Sequence, residues 1–385
     1  MVTRPRIIVW LQTGWLALGM ALLGFLLLEG LYTGQRQVRA RLFGSDDERE
    51  AQAAGHPYRG QAWFRQLLRE RARQQKQFDP WRTWWSYPMS GTYINIDSAG
   101  RRRTIQAASD SAPAARVLML GGSALWGFTV RDSLTIPSLV ARDLGLRGWH
   151  VEVVNLAQPG FIIGQEVATL LHEVEGSGGP ALAVFLDGIN DIRSALLYTE
   201  PGHIFFEPRL RRLYEVDANR GLVSALLSLG EHSALINRLL LAVGANTEWR
   251  EPPTPPDLCG RVAGYYRRQT ETALALAAQG RFEVLFLQQP MHATTGKRLT
   301  AFEADLDGAD RRARIRVCAA AIDSAMAGGD PRRYVSLAAV LDREQETVFL
   351  DNYGHLTEAA NALLAQRIAA EVASRLEARQ GNSLR

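Results

Sequence analysis

The sequence predicts a three-layer α/β domain built on a five-stranded parallel sheet, preceded by one N-terminal transmembrane helix. Three observations predict it. From about residue 114 onward, short and continuously apolar runs alternate with amphipathic helical patterns, the signature of strands buried on both faces by helices. Ile7–Leu28 is a charge-free stretch of 22 residues. The overall composition, 46% hydrophobic and 22% charged over 385 residues, is that of a globular chain and excludes disorder, collagen-like repeats and coiled coil.

The elements follow in order. Residues 1–6 are a short tail carrying Arg4 and Arg6. Residues 7–31 form the anchor: at 1.5 Å per residue the charge-free stretch spans about 33 Å, enough for the ~30 Å hydrocarbon layer. Trp10, Trp15 and Tyr32 suit its two interfaces. A cleaved signal peptide is the alternative, but the apolar segment is too long and Glu29-Gly-Leu-Tyr-Thr-Gly is not a small-x-small cleavage site. Arginines flank both ends (Arg36, Arg39 and Arg41 beyond it), so charge alone leaves the orientation open.

Residues 32–113 read as a polar juxtamembrane extension. Ala62–Gln77 has helical spacing at Trp63, Leu67 and Leu68 on an Arg/Gln-rich background and reads as a surface helix. The aromatic group Trp81, Trp84, Trp85 and Tyr87 could stack on sugar rings, although such groups more often pack an extension onto its neighbour. Residues 114–385 form the α/β domain. Its strands are expected at Arg116–Leu120, His150–Asn155, Ala181–Leu186, Phe282–Leu287 and Arg333–Leu337. A helical insertion at about 195–258 interrupts the alternation, and part of it is expected over the carboxyl ends of the strands, where such folds bind ligands.

Net charge is small, 44 Lys+Arg against 40 Asp+Glu, and scattered, which argues against nucleic acid as a partner. Two cysteines, Cys259 and Cys318, exclude a disulfide scaffold and a multi-cysteine zinc site. One disulfide and two buried free thiols remain equally open, and pairing would favour an oxidising compartment.

Four segments could carry chemistry. Gly121-Gly122-Ser123 follows the first strand and opens a helix, a turn at which free N–H groups surround a serine hydroxyl. Alone it is a common loop sequence. Leu125 breaks the G-x-S-x-G elbow, and Met291 breaks a P-loop around Gly296-Lys297. Asn155-Leu-Ala-Gln-Pro-Gly160 follows the second strand, and Asp187-Gly188-Ile-Asn190-Asp191 the third. Asp351-Asn-Tyr-Gly-His355-Leu-Thr precedes the last helix. Sheet geometry puts all four on one rim. Asp191 is expected to fix its loop through backbone hydrogen bonds. Glu173 and Glu175 around His172 lack the second histidine of H-E-x-x-H, so no metal is expected there. His292 could line the pocket but reads better as a surface loop residue, and His203 reads as part of the insertion's lid.

Ser, Gly, Asn and His in this order resemble the four blocks of the SGNH (GDSL-like) hydrolase superfamily, with Gly122 in place of the usual Asp. The resemblance covers residues 114 to about 378. Tyr93-Ile-Asn-Ile-Asp…Gly100-Arg-Arg-Arg-Thr104 and Gln289-Pro290…Gly296-Lys297 are similar to a membrane-anchored bacterial branch of it. The resemblance implies a flavodoxin-like three-layer domain and a serine esterase without cofactor. Ser123 would be the nucleophile, His355 its base and Asp351 the orienting acid. Ser123, Gly160 and Asn190 would form the oxyanion hole. Family members usually space the acid three residues before the histidine; here position 352 is Asn and Asp351 lies four before. If Asp351 does not reach, Asn352 or a backbone carbonyl would orient His355.

The expected substrate is an acyl ester, O-acetyl on a cell-envelope polysaccharide, handled on the outer face of a bacterial inner membrane. Two alternatives stand beside it: an O-acetyltransferase using the same Ser/His pair and supplied by a membrane acyl-donor protein, and a non-catalytic glycan-binding scaffold.

Overall fold

The computed structural model describes residues 4–43, 51, 54–108, 112–176, 179–207, 210, 233, 235–236, 251–330 and 332–383. The chain divides into two compact units, one made of Met1–Glu50 with Phe206–Arg250 and the other of Ala51–Phe205 with Glu251–Arg385.

The first unit contains α1 (Arg4–Phe43), within which Val9–Gln35 has a mean hydropathy of 1.8 and lies unburied. At about 1.5 Å per residue, those 27 residues exceed the ~30 Å hydrocarbon layer. The helix runs past the expected end of the anchor because nothing in Thr33-Gly-Gln-Arg-Gln-Val-Arg-Ala-Arg stops it; there is no proline, and a lone glycine is tolerated. In the same unit the Glu29 carboxylate accepts hydrogen bonds from the Ser233 hydroxyl at 2.6 Å and the Leu235 N–H at 3.1 Å. Ser233 Oγ in turn accepts the Ile236 N–H, as a helix N-cap does. Most of the expected insertion lies outside the described residues.

The second unit is a three-layer α/β/α sandwich. Its extension is α2 (Ala62–Ala72) and an antiparallel hairpin of β1 (Lys76–Asp79) and β2 (Thr83–Ser86). The sheet domain then runs β3 (Ala115–Gly121), α3 (Ser123–Trp126), α4 (Ile136–Leu146), β4 (Val151–Asn155), α5 (Ile163–Gly176), β5 (Leu182–Asp187) and α6 (Ile189–Tyr198). After the insertion it continues with α7 (Leu258–Gly280), β6 (Glu283–Gln288), α8 (Ala301–Ala304), α9 (Ala309–Ala327), β7 (Tyr334–Ser336) and α10 (Glu358–Ser383). All five strands are parallel in the order β4-β3-β5-β6-β7, each within two residues of its expected bounds.

Period-2 alternation sends successive strand side chains to opposite layers. Val117 and Met119 pack with Leu139, Val140, Leu364 and Ile368 of α4 and α10. Leu118 and Leu120 pack with Leu170, Val262 and Ile322 of α5, α7 and α9. On that second face Cys259 and Cys318 are joined, a disulfide between α7 and α9 that settles the open choice between bridge and free thiols.

Because β4 lies on one side of β3 and β5 on the other, the strand order reverses at β3. Open α/β sheets bind ligands at that switch point, beyond the strands' carboxyl ends. Ser123 is two residues past β3.

From Ala51 onward the extension belongs to the same compact unit as the sheet domain. Phe64, Leu67 and Leu68 of α2 enter the same core as α4 and α10. Trp84 and Trp85 are buried against Phe161 and Phe205, so these two tryptophans pack, while Trp81 stays exposed. The buried Glu70 carboxylate collects the N–H groups of Thr92, Tyr93 and Ile94, and those hydrogen bonds hold it below the ordinary carboxylate range against the opposing effect of burial. The segment thus fixed delivers Arg102 beneath the turn that carries Ser123.

Candidate active site

Ser123 opens α3 directly beyond a pair of glycines that no other residue could replace without displacement. A Cβ on Gly121 would stand 2.6 Å from the Leu186 carbonyl oxygen, and one on Gly122 would stand 2.4 Å from the Asn190 side-chain nitrogen. Gly127, at φ +92°, ends the short helix in the left-handed region. Any side chain at position 122 would have to displace the Asn190 amide.

His355 and Asp351 come from the loop before α10. His355 Nε2 is 2.7 Å from Ser123 Oγ, and Nδ1 is 2.5 Å from Asp351 Oδ2. The other Asp351 oxygen accepts the backbone N–H of Tyr353 at 2.9 Å and of His355 at 3.3 Å. Burial pushes the Asp351 carboxyl up, but the His355 charge and these hydrogen bonds outweigh it, and the net displacement is downward. The four-residue step from Asp351 to His355 turns at Gly354, whose φ is +82°. Its two ends are closed by the Phe349–Leu356 bridge and the Leu350 N–H to His355 carbonyl bond. The Asn352 side chain instead accepts a hydrogen bond from Arg193. The Phe128 ring stacks on the imidazole at 4.8 Å between centroids.

Gly160 and Asn190 flank the same turn. Gly160, at φ +85°, lies in the Gln158–Phe161 turn, which is tied to β3 by the Gln158 N–H to Gly121 carbonyl bond. A Lys76 ammonium and the Trp84 indole N–H both donate to the Pro159 carbonyl, so the hairpin braces this loop from outside. Asn190 Nδ2 donates to the Phe161 carbonyl at 2.8 Å. An amide NH₂ carries two hydrogens, so one orients the side chain and the other is left for a ligand oxygen beside Gly122. The Ser123 N–H, first in its helix, has no intrahelical acceptor.

Behind Asn190 lies a buried acidic trio, Glu166, Asp187 and Asp191. Asp191 Oδ1 accepts the Ile163 N–H at 3.1 Å, the loop-fixing role expected for it. Tyr266 donates to Asp187 at 2.5 Å. Burial raises Asp187 to about 6, and burial together with mutual repulsion raises Glu166 and Asp191 well above their ordinary values. The folded trio therefore binds more protons than the unfolded chain, and its stabilisation, complete below about pH 4, is lost as pH rises through the folded values. Glu166→Gln removes one titrating member. Between about pH 5 and pH 8, the variant's urea midpoint is expected to rise steadily relative to wild type. A constant difference between the two would contradict it.

His292 departs from its expected surface position. It is buried, with Nε2 2.7 Å from the Glu303 carbonyl, because the buried Lys297–Glu303 ion pair folds its loop inward. Burial lowers its pKa. His203 lies beside Tyr198, and its carbonyl accepts the Ser194 hydroxyl. Two residues of this region carry no local sequence signal: Arg102, whose partners are up to 30 positions away, and Arg193, on α6 one turn beyond Asn190.

No family model matches the chain, and no curated protein does. Among solved structures, it is similar to a lipase/acylhydrolase from Enterococcus faecalis at 15% identity and TM-score 0.39, over 68% of this chain and 96% of that one. It is also similar to an acetyl xylan esterase at 12% identity and TM-score 0.37, over 67% and 98% of the two chains. A third similarity is to a putative lipolytic protein of the G-D-S-L family from Desulfitobacterium hafniense, at 9% identity and TM-score 0.36, over 67% and 99%.

Proposed function

We propose that this chain is a membrane-anchored serine esterase of the SGNH type, cleaving O-acetyl or similar acyl esters of a cell-envelope polysaccharide. The observation that carries the reading is the unbroken hydrogen-bonded chain from Ser123 Oγ through both imidazole nitrogens to Asp351. In this reading His355 Nε2 takes the hydroxyl proton as Oγ attacks the ester carbonyl. The tetrahedral oxyanion is held by the Ser123 and Gly160 N–H groups and the second Asn190 N–H; losing one such donor costs about 10²–10³ in turnover. His355 then protonates the leaving sugar oxygen, and water repeats the sequence on the acyl-enzyme. The α1 helix supports the anchor, and the Cys259–Cys318 disulfide supports a site on the oxidising side of an inner membrane.

A fluorophosphonate probe tests the nucleophile. The detergent-solubilised full chain is expected to label, Ser123→Ala to remain unlabelled, and wild type to release acetate from an acetylated glycan. A folded wild type that neither labels nor releases acetate overturns the proposal. Acetyl groups appearing on an added glycan without acetate release would make the same site a transferase.

A further inference from the structure

The loop from Asp351 to His355 is one residue longer than the family pattern, and its tip is gripped from α6. Arg193, only 9% exposed, places Nη1 3.1 Å from Asn352 Oδ1 and 3.4 Å from the Asn352 carbonyl oxygen. Its guanidinium carbon lies 3.6 Å above the centre of the Tyr353 ring. A planar cation stacked on an aromatic face while donating hydrogen bonds at its edge is held in both directions.

The carbonyl that Arg193 contacts belongs to the same peptide group as the Tyr353 N–H, which donates to Asp351 Oδ1. A trans peptide points these two groups in opposite directions. Positive charge at the carbonyl end polarises the peptide and strengthens the donor at the other end. Arg193 therefore acts on Asp351 through one peptide plane. It also stands three residues beyond Asn190 on the same helical face, so one rigid helix carries both the oxyanion donor and the clamp on the acid. We infer that Arg193 is a positioning residue: it holds the lengthened loop so that Asp351, four residues before His355, meets the imidazole in register with the hole at Asn190. The catalytic consequence rests on the esterase reading above; the geometric claim does not.

The test uses Arg193→Met, Asp351→Asn and the double variant in the detergent-solubilised full chain, each checked for a wild-type-like circular dichroism spectrum. Misplacement by about 1 Å costs up to ~10²-fold, so Arg193→Met is expected to lower kcat about 10- to 100-fold with KM within about twofold. Because it works through Asp351, it should cost less than about twofold in the Asp351→Asn background. With ¹⁵N-labelled histidine, the downfield Nδ1–H resonance of His355, assigned by its loss in Asp351→Asn, should be broadened or lost in Arg193→Met. Additive penalties, a raised KM at unchanged kcat (Arg193 binding an anionic substrate group instead) or an undisturbed resonance each overturn the inference. Should wild type show no turnover, the esterase reading alone fails, and the resonance still decides the role of Arg193.

Discussion

Under the proposed esterase mechanism, Asp351→Asn is expected to lower kcat/KM for ester hydrolysis by about 10⁴-fold while the protein stays folded. The size follows from the tautomer. Asp351 Oδ2 accepts the Nδ1 proton and leaves the Nε2 lone pair facing Ser123 Oγ. An amide NH₂ at that position donates to Nδ1 instead, moves the ring proton to Nε2 and removes the base. The loop should survive, because an Asn oxygen can still accept the Tyr353 and His355 N–H groups that Asp351 Oδ1 accepts now. Asn352→Ala is the control at the neighbouring position. It deletes one side-chain acceptor of Arg193 but keeps the carbonyl, and should cost less than about tenfold. A larger loss from Asn352→Ala than from Asp351→Asn would reassign the orienting role. The same substitution has an acid-side signature. The folded Asp351 pKa is lowered, so its stabilisation exists above the unfolded value of about 3.9 and disappears as pH falls through the folded value. That component of acid denaturation should be missing from Asp351→Asn.

Arg102→Met is expected to destabilise the protein by about 3–5 kcal/mol, measured as a lowered urea midpoint, and to slow fluorophosphonate labelling of the surviving folded fraction. Arg102 is 1% exposed and has every donor group engaged: Asp132 at 2.8 Å, and the carbonyls of Gly127, Val130 and Tyr93 at 2.7, 2.9 and 3.2 Å. It also lies 4.3 Å over the Trp126 ring. Removing it leaves Asp132 buried without its cation and frees the carbonyls that fix the chain just after Ser123. Burial works against the guanidinium charge, and the Asp132 charge works for it. Arg102→Met combined with Asp132→Leu should regain part of the loss, because an apolar pair is cheaper to bury than a lone carboxylate. No recovery would mean that the carbonyl bonds, rather than the ion pair, carry the stabilisation.

Legibility tracked the sequence range of the physics involved. Strands buried on both faces must be continuously apolar, and helices packed on them must show a 3.6-residue stripe. The five strands, their parallel sense and the helices Ile136–Leu146 and Glu358–Ser383 could therefore be read in order from residue types alone. The four chemical blocks were legible for a related reason: each sits at a strand end or before a helix, so the topology alone sends them to one rim. The bounds of the long first helix were less legible, because helix ends depend on stop signals that Thr33–Arg41 lacks.

Interactions between distant segments had to await the fold. Whether Asp351 or Asn352 faces Nδ1 turned on the Gly354 turn and on a guanidinium about 160 positions upstream. The inward fold of His292 required the Lys297–Glu303 pair, and the joining of Cys259 to Cys318 required α7 to pack beside α9. The extension proved to be a brace for the serine turn only when Arg102 met Trp126 and Gly127. Periodicity is a property of neighbouring residues and so is written locally, whereas a hydrogen bond between remote residues depends on how the whole chain packs, and no short stretch contains that information.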